Sequence, residues 1–533
     1  MLLLFLAIGS TSSQGVWPAP LKSSFSGNAT VYLSADFSFG TTAAQPSGVL
    51  TAAFARYSEL LRLGKRAAPP TGATLASLRV DVASADDGFS FGVDESYVLD
   101  FTGGASASTP PAATLTAPTV WGALRGLETF AQLTERDNIG HTAPLQAPAP
   151  PASVADAPRF SYRGLMIDVA RHFYPVEFIE KHIMAAMEAS KLNVLHVHLT
   201  DDQSFPVASA RYPALAAKGA FGPKFIYSAA DLKQLVASAT TRGIHLVPEF
   251  DMPAHTSMWG AGHPEIMVTD SAGDAGCSIR PGAHGDTMDP STNATFELID
   301  GLLGEMATGP FGGSEFLHLG GDEVPEACWL GSKRVRAFMA AQGISSADEL
   351  ESYFVNRVAV GEQLVAANKT LVYWEEIFNN NVSLPPTAVI QAWKTNAMPG
   401  VVAAGHRTTN SYKWYLNHGC NNYGDGLWQS FYTNDPLTWL PNATEAEQAL
   451  VIGGETTMWA ECVDATIFDA IVWPRAAAAA EQLWSPRAAT RSAQSVELGR
   501  RLSEHRCRLV GRGIGAAPID DSAFPLDYNQ GCQ

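Results

Sequence analysis

The chain has 533 residues, 46% hydrophobic and 17% charged, the composition of a large globular protein rather than a disordered or repetitive one. A formal net charge of −18 argues against a surface built for polyanions, so no nucleic-acid partner is expected.

Met1 is followed by an apolar run from Leu2 to Ile8 and then by small and polar residues to Gln14. A bilayer span needs about 20 apolar residues, so this run is too short to cross one and reads as a secretory signal over residues 1–15. No later segment reads as a membrane span, and no membrane insertion is expected. Residues 16–140 read as a small α+β domain. Its pieces are the strand-like Phe89-Ser90-Phe91, a strand from Tyr97 to Phe101, and a helix running from Trp121 through Glu128. Residues 141–158 hold Pro144, Pro148, Pro150, Pro151 and Pro158 and predict a linker.

From residue 159 onward short apolar runs recur, each ending in polar or aromatic residues. They run from Gly164 to Asp168, Val194 to His198, His245 to Asp251, Phe316 to His318, Leu371 to Trp374 and Val389 to Trp393, followed by the stretch from Thr408 to Tyr412 and by Val451-Ile452 leading toward Trp459, which makes eight. Helical patterns fall between several of them. Ile179, Ile183 and Met187 share a face; Ser228 with Asp231, and Ser346 with Glu349, form helix-opening capping pairs. Eight strand–helix units predict a (β/α)8 barrel over residues 159–533, a fold that collects its chemistry at the C-terminal strand ends.

Those ends hold the unusual residues. In chain order they are Arg163; His196, His198, Asp201 and Asp202; Glu249, Asp251 and His255; Asp322 and Glu323; then Trp374, Trp393, Trp414, Tyr415, Trp459 and Glu461. Tryptophans beside carboxylates suit a sugar, since the rings pack on its C–H faces while the acids bind its hydroxyls. The most telling run is Phe316-Leu317-His318-Leu319-Gly320-Gly321-Asp322-Glu323-Val324. Ordinary glycosidases set two carboxyls about 5 Å or more apart, flanking the scissile bond. Adjacent residues on one strand end are poorly placed for that. They suit one carboxyl that protonates the leaving oxygen and another that steadies a nucleophile belonging to the substrate. Adjacent acids elsewhere, Asp94-Glu95 and Asp348-Glu349, read as solvated turns. His196-Val197-His198 raises a metallohydrolase alternative, but the strands ending in Trp374-Glu375-Glu376 and Trp393-Lys394 supply no further histidine, so no metal is expected.

Taken together, Arg163-Gly164, His198 through Pro206, Glu249-Phe250-Asp251, His318 through Val324 and Trp473-Pro474-Arg475 resemble the β-N-acetylhexosaminidases of glycoside hydrolase family 20. The likeness runs from Val16 to the end of the chain. It implies a small α/β domain before a catalytic barrel, no cofactor, and exo-acting, retaining, substrate-assisted hydrolysis of terminal β-linked GlcNAc or GalNAc. By the same resemblance Glu323 is the general acid/base, Asp322 orients the 2-acetamido group and Tyr415 bonds its oxygen. Trp374, Trp393 and Trp459 box the sugar and acetamido group; Arg163 and Glu461 bind ring hydroxyls; Asp201 and His255 form a network touching the acid. Asn417 falls near the sugar 6-position, and His418 after it departs from the family's usual patterns, as do Val197 and Ala254. A glycan-binding descendant without catalysis would keep the tryptophans and lose the acid, whereas Asp322, Glu323 and Tyr415 are all here.

Six cysteines with no Cys-x-x-Cys spacing, and sequons at Asn28, Asn293, Asn368, Asn381 and Asn442, agree with the secretory pathway. The resemblance implies bridges Cys277–Cys328 and Cys507–Cys532, which leaves Cys420 with Cys462. Lysosomal or vacuolar and extracellular residence both stay open, and a homodimer is the assembly carried forward.

Overall fold

The structure is a computed structural model, which describes residues 15–26, 29–42, 47–104, 109–135, 143–269, 287–394, 397–490 and 496–519. The expected signal over residues 1–15 therefore falls, but for Gly15, outside the described residues. Two hydrophobic cores organise the rest.

The first core lies under a seven-stranded sheet of β1 (Lys22–Phe25), β2 (Thr30–Thr41), β3 (Thr74–Val82), β4 (Tyr97–Thr102), β5 (Ala112–Ala117), β6 (Gln146–Pro148) and β7 (Ala152–Asp156). The order is β1-β7-β4-β5-β3-β2-β6. Burial alternates along β4 and β5, so one face of the sheet is apolar and is covered by α1 (Gly48–Leu60) and α2 (Val120–Glu135). The expected linker at 141–158 is not a linker, because it supplies β6 and β7. Pro148 sits in the edge strand β6, where a missing N–H breaks no interior ladder. β7 has no proline and pairs on both sides, with β1 and β4.

The second core surrounds a closed parallel barrel of β8 (Tyr162–Asp168), β9 (Val194–Thr200), β10 (His245–Phe250), β11 (Phe316–His318), β12 (Thr370–Trp374), β13 (Val389–Ala392), β14 (Arg407–Asn410) and β15 (Val451–Met458). β8–β10 and β15 are buried at every position, so their polar residues, among them Arg163, His196, His198, Glu249 and Glu455, find partners inside the protein rather than in solvent. Tyr162, Val194, Val247, Phe316, Val372, Val389 and Ile452 fill the barrel floor.

The first domain closes that floor. Phe91 meets Phe316 edge-on at 5.0 Å, and Phe89 stacks on His245 at 3.8 Å. Phe89-Ser90-Phe91 is thus a loop rather than the expected strand; its alternating aromatics serve the barrel, not a sheet. Nor is Glu95 a solvated acid, since it lies buried between Arg125 and Arg163, each at 2.8 Å. Beside it Lys191 meets Asp156 at 2.9 Å.

Ser228 and Asp231 form a complete capping box. At Ser346 only half the box exists: its hydroxyl accepts from the Glu349 amide, while the Glu349 carboxylate turns to the Ser345 amide and hydroxyl. Ile179, Ile183 and Met187 are buried as expected, with a π-helical turn over Ile179–Met184. Among the described residues no helix is long and apolar enough to cross a membrane.

Candidate active site

β11 ends at His318, and the chain then turns through Gly320 and Gly321, both at positive φ (66° and 99°). A Cβ on Gly320 would strike the Asp251 carboxylate and one on Gly321 would strike Ile377. The two glycines are therefore the condition for bringing Asp322 and Glu323 to the mouth of the barrel. Glu323 itself is held at φ 52°, an uncommon conformation for a residue with a side chain. Asp322 is buried while the Glu323 side chain stays 48% exposed, so one carboxyl faces inward and the other faces the opening.

His255, also at positive φ, joins them to the neighbouring strands. Its Nε2 lies 3.6 Å from Glu323 and 3.8 Å from Asp322, and its Nδ1 lies 3.3 Å from Asp201. Burial opposes a charge on this ring, but Asp201, Glu323 and Asp322 outweigh it and carry its pKa well above the ordinary range. Asp201 is the converse case: burial would raise it, yet Arg171 at 2.7 Å and His255 hold it well below the carboxylate range. Burial pushes Asp322 up, with Glu249 and Glu323 adding to the effect and His255 opposing it. Asp251, which lines the same cavity, is pushed up by burial and by Asp322.

These groups border a cavity of about 200 Å³, small enough to be filled by a single sugar ring. Trp393, Tyr415 and Trp459 form its aromatic wall, and Asn417, His418 and Glu461 complete the rim. Trp393 and Tyr415 stack at 5.7 Å, and Tyr415 and His418 at 5.1 Å. Trp374 lies a layer deeper than expected. It is buried, donates to Glu249 at 2.8 Å, and packs 6.3 Å from Trp393 and 6.0 Å from Trp459, so it backs the wall without lining the cavity.

Arg163 is not in the site. It is the second residue of β8, at the opposite end of the barrel, and its guanidinium is spent on Glu95 and on the carbonyls of Phe160 and Lys191. The arginine that lines the cavity is Arg171, three residues past the end of β8, paired with Asp201 and Asp168 and set over the Trp459 ring at 5.2 Å. Its signal was in the sequence, in the run Asp168-Val169-Ala170-Arg171-His172 directly after the strand.

Inside the barrel the histidine pair serves carboxylates. His196 contacts Glu455 at 2.9 Å and Glu249 at 3.0 Å; His198 contacts Glu249 at 2.6 Å and Asp201 at 2.7 Å. Against the effect of burial, Glu455 and Glu249 hold His196 at about 9, and Glu249 with Asp201 carries His198 well above 6.5. Each of these two imidazoles is thus held between two carboxylates.

Cys420 and Cys462 are bonded, their Cα atoms 5.1 Å apart, and tie the segment after β14 to the one after β15. Cys328 and Cys507 are also in disulfides; their expected partners, Cys277 and Cys532, lie outside the described residues.

Comparison with known proteins agrees with this geometry. Residues 160–487 match the catalytic domain of glycosyl hydrolase family 20, and residues 16–133 match a β-acetyl hexosaminidase-like domain. The chain is 36% identical to the β-hexosaminidase β subunit of Felis catus, over 99% of this chain and 98% of that one. It is likewise 36% identical to β-hexosaminidase 1 of Arabidopsis thaliana, over 98% and 96%. Its fold resembles that of a chitobiase from Flavobacterium johnsoniae, with a TM-score of 0.79 and 27% identity over 94% of this chain and 73% of the other. A barrel whose adjacent Asp322 and Glu323 share one histidine, in a chain matched this fully, belongs to glycosyl hydrolase family 20, among its β-hexosaminidases.

Proposed function

We propose that the chain removes terminal β-linked GlcNAc and GalNAc from the non-reducing ends of glycoconjugates or chito-oligosaccharides, with the substrate's own acetamido oxygen as nucleophile. The observation that carries this is the shared contact of Asp322 and Glu323 with one nitrogen of His255, at 3.8 and 3.6 Å. Adjacent carboxyls presented to one nitrogen from a single strand end suit an acid beside a group that steadies the substrate's own nucleophile, rather than an acid and a protein nucleophile on opposite faces of the sugar.

Glu323, open to the cavity, protonates the leaving oxygen and then activates water. Asp322, buried behind it, holds the acetamido N–H and stabilises the positive charge that nitrogen gains as the ring closes. Tyr415, on the aromatic wall, donates to the attacking carbonyl oxygen. Arg171 and Glu461 bind ring hydroxyls, while Asp201 and His255 fix the acid's position. The confined cavity suits one terminal residue, hence exo action.

Kinetics on matched β-GlcNAc, β-GalNAc and β-glucose aryl glycosides test this, with and without EDTA. The two N-acetylated substrates turn over, the glucoside is nearly inert for want of a nucleophile, and EDTA changes nothing. Comparable rates on the glucoside, or a sugar trapped on a protein carboxylate, overturn the assignment.

The Cys420–Cys462 bridge and the exposed asparagines at four sequons, Asn293, Asn368, Asn381 and Asn442, support residence in the secretory pathway, in a lysosome or vacuole or outside the cell. Asn28 lies outside the described residues. A homodimer is the proposed assembly; sedimentation tests it, and a monomer mass would overturn it.

A further inference from the structure

We propose that Glu375 and Glu376, for which the catalytic scheme has no use, are positioning residues that clamp Trp393 as the wall of the acetamido pocket; this rests on the reading of the pocket given above. Both follow directly on β12, and both reach across to the end of β13. The fully buried Glu375 carboxylate accepts from the Trp393 amide at 2.9 Å and the Lys394 amide at 3.3 Å. Glu376 accepts from the Trp393 indole N–H at 2.9 Å. One acid therefore fixes the backbone of the tryptophan and the next fixes the plane of its ring. With the backbone and the indole nitrogen both held, the ring has no remaining freedom to tilt away from Tyr415, against which it stacks.

The second oxygen of Glu376 shows what this arrangement asks of the residue. It is buried without a hydrogen-bond partner, and the Lys394 ammonium is 3.7 Å away. The titratable groups around the carboxyl are Lys394 beyond β13, Asp322 beyond β11, Tyr415 beyond β14 and Glu375 next to it. Burial first, then Asp322, lifts Glu376 to about 8. In acid it is thus a neutral group that holds the indole without setting a second negative charge beside Asp322. Burying two adjacent acids is unfavourable unless their bonds are used, and here they are used on a single tryptophan of the cavity wall.

Glu376→Leu keeps the bulk of the side chain and strands the indole N–H, whereas Glu376→Gln keeps an acceptor without charge. On a β-GlcNAc aryl glycoside, Glu376→Leu is expected to raise KM by about tenfold with only a small drop in unfolding temperature, and Glu376→Gln to stay within about threefold of the wild type. In the background of Trp393→Phe, which has no indole N–H, Glu376→Leu should add almost nothing, because the interaction it removes is already gone. A wild-type KM in Glu376→Leu, equal damage from Gln and Leu, or full additivity with Trp393→Phe overturns the proposal. Glu376→Met substitutes if the leucine variant does not fold, and failure of both to fold assigns Glu376 to stability alone and also overturns it. A wild-type enzyme inert on the N-acetylated substrate refutes the functional reading instead, so the two failures are distinguishable.

Discussion

The side chain of Asn417 grips the backbone of Trp459 in both directions, donating to its carbonyl at 2.6 Å and accepting from its amide at 3.0 Å. It also donates to the Gly419 carbonyl at 3.2 Å. Although it borders the cavity, where a ligand for the sugar 6-position was expected, its amide is committed to the protein. Together with the Cys420–Cys462 bridge, it splices the segment after β14 to the tryptophan after β15.

Asn417→Asp tests this. A carboxylate can accept from the Trp459 amide but cannot donate to its carbonyl, and it repels that oxygen. The variant should lose about tenfold in kcat/KM at pH 6 and recover relative to wild type near pH 4, where a protonated aspartate donates again. A variant-to-wild-type ratio that stays flat across that range would return Asn417 to the role of a substrate ligand.

The two arginines around β8 separate folding from binding. Arg163→Ala leaves Glu95 buried with Arg125 as its one remaining arginine partner, and truncating a buried charge pair destabilises by about 3–5 kcal/mol. KM of the surviving folded enzyme should not move. Arg171→Ala should also destabilise, because Asp168 and Asp201 are left buried without their arginine, but it should in addition raise KM at least about tenfold. Steady-state kinetics beside thermal melts decide it; a KM effect from Arg163→Ala would contradict its placement at the barrel floor.

The barrel was legible in the sequence because seven of its eight strands carry apolar stretches, β14 (Arg407–Asn410) being the exception, and the acid pair was legible because Gly320-Gly321-Asp322-Glu323 breaks its strand so abruptly. What escaped notice did so for definite reasons. Arg163 carries the right charge on the right strand, but a seven-residue strand spans the barrel, and position along it decides which end a side chain serves. Proline density around residue 148 looked like a linker, since edge-strand geometry depends on partners far away in the chain. Phe89 and Phe91 alternate like a strand because the surface they plug is itself a ring of alternating side chains. Glu376 could not be singled out, since its bond to Trp393 exists only once β12 and β13 lie side by side.

His196 should leave a mark on the pH dependence of stability. Its folded pKa is about 9, against about 6.5 when unfolded. A group raised in this way contributes its stability in full below the unfolded value and loses it as pH climbs through the folded one. The melting temperature should therefore decline between about pH 6.5 and 9, and His196→Gln should be less stable at pH 5.5 but flatter over that window. An unchanged slope in the variant would mean that other groups set the alkaline loss.

The neighbouring carboxyls make the sharpest contrast, since they lie side by side and are assigned opposite dependences. Glu323→Gln removes the proton donor, so a substrate with a poor leaving group should lose at least about 10²-fold in kcat, while one with a very good leaving group, which needs little protonation, should lose far less. Asp322→Asn removes the charge that steadies the closing acetamido ring, a step common to every substrate, so its loss should be large whatever the leaving group. A thiazoline that mimics the cyclised intermediate separates them again: it should bind wild type far more tightly than the product sugar does, and Asp322→Asn should weaken it more than Glu323→Gln, because the positive charge it mimics faces Asp322. If both variants showed the same leaving-group dependence, or if the thiazoline bound Asp322→Asn as well as wild type, the division of labour between the two carboxyls would fall.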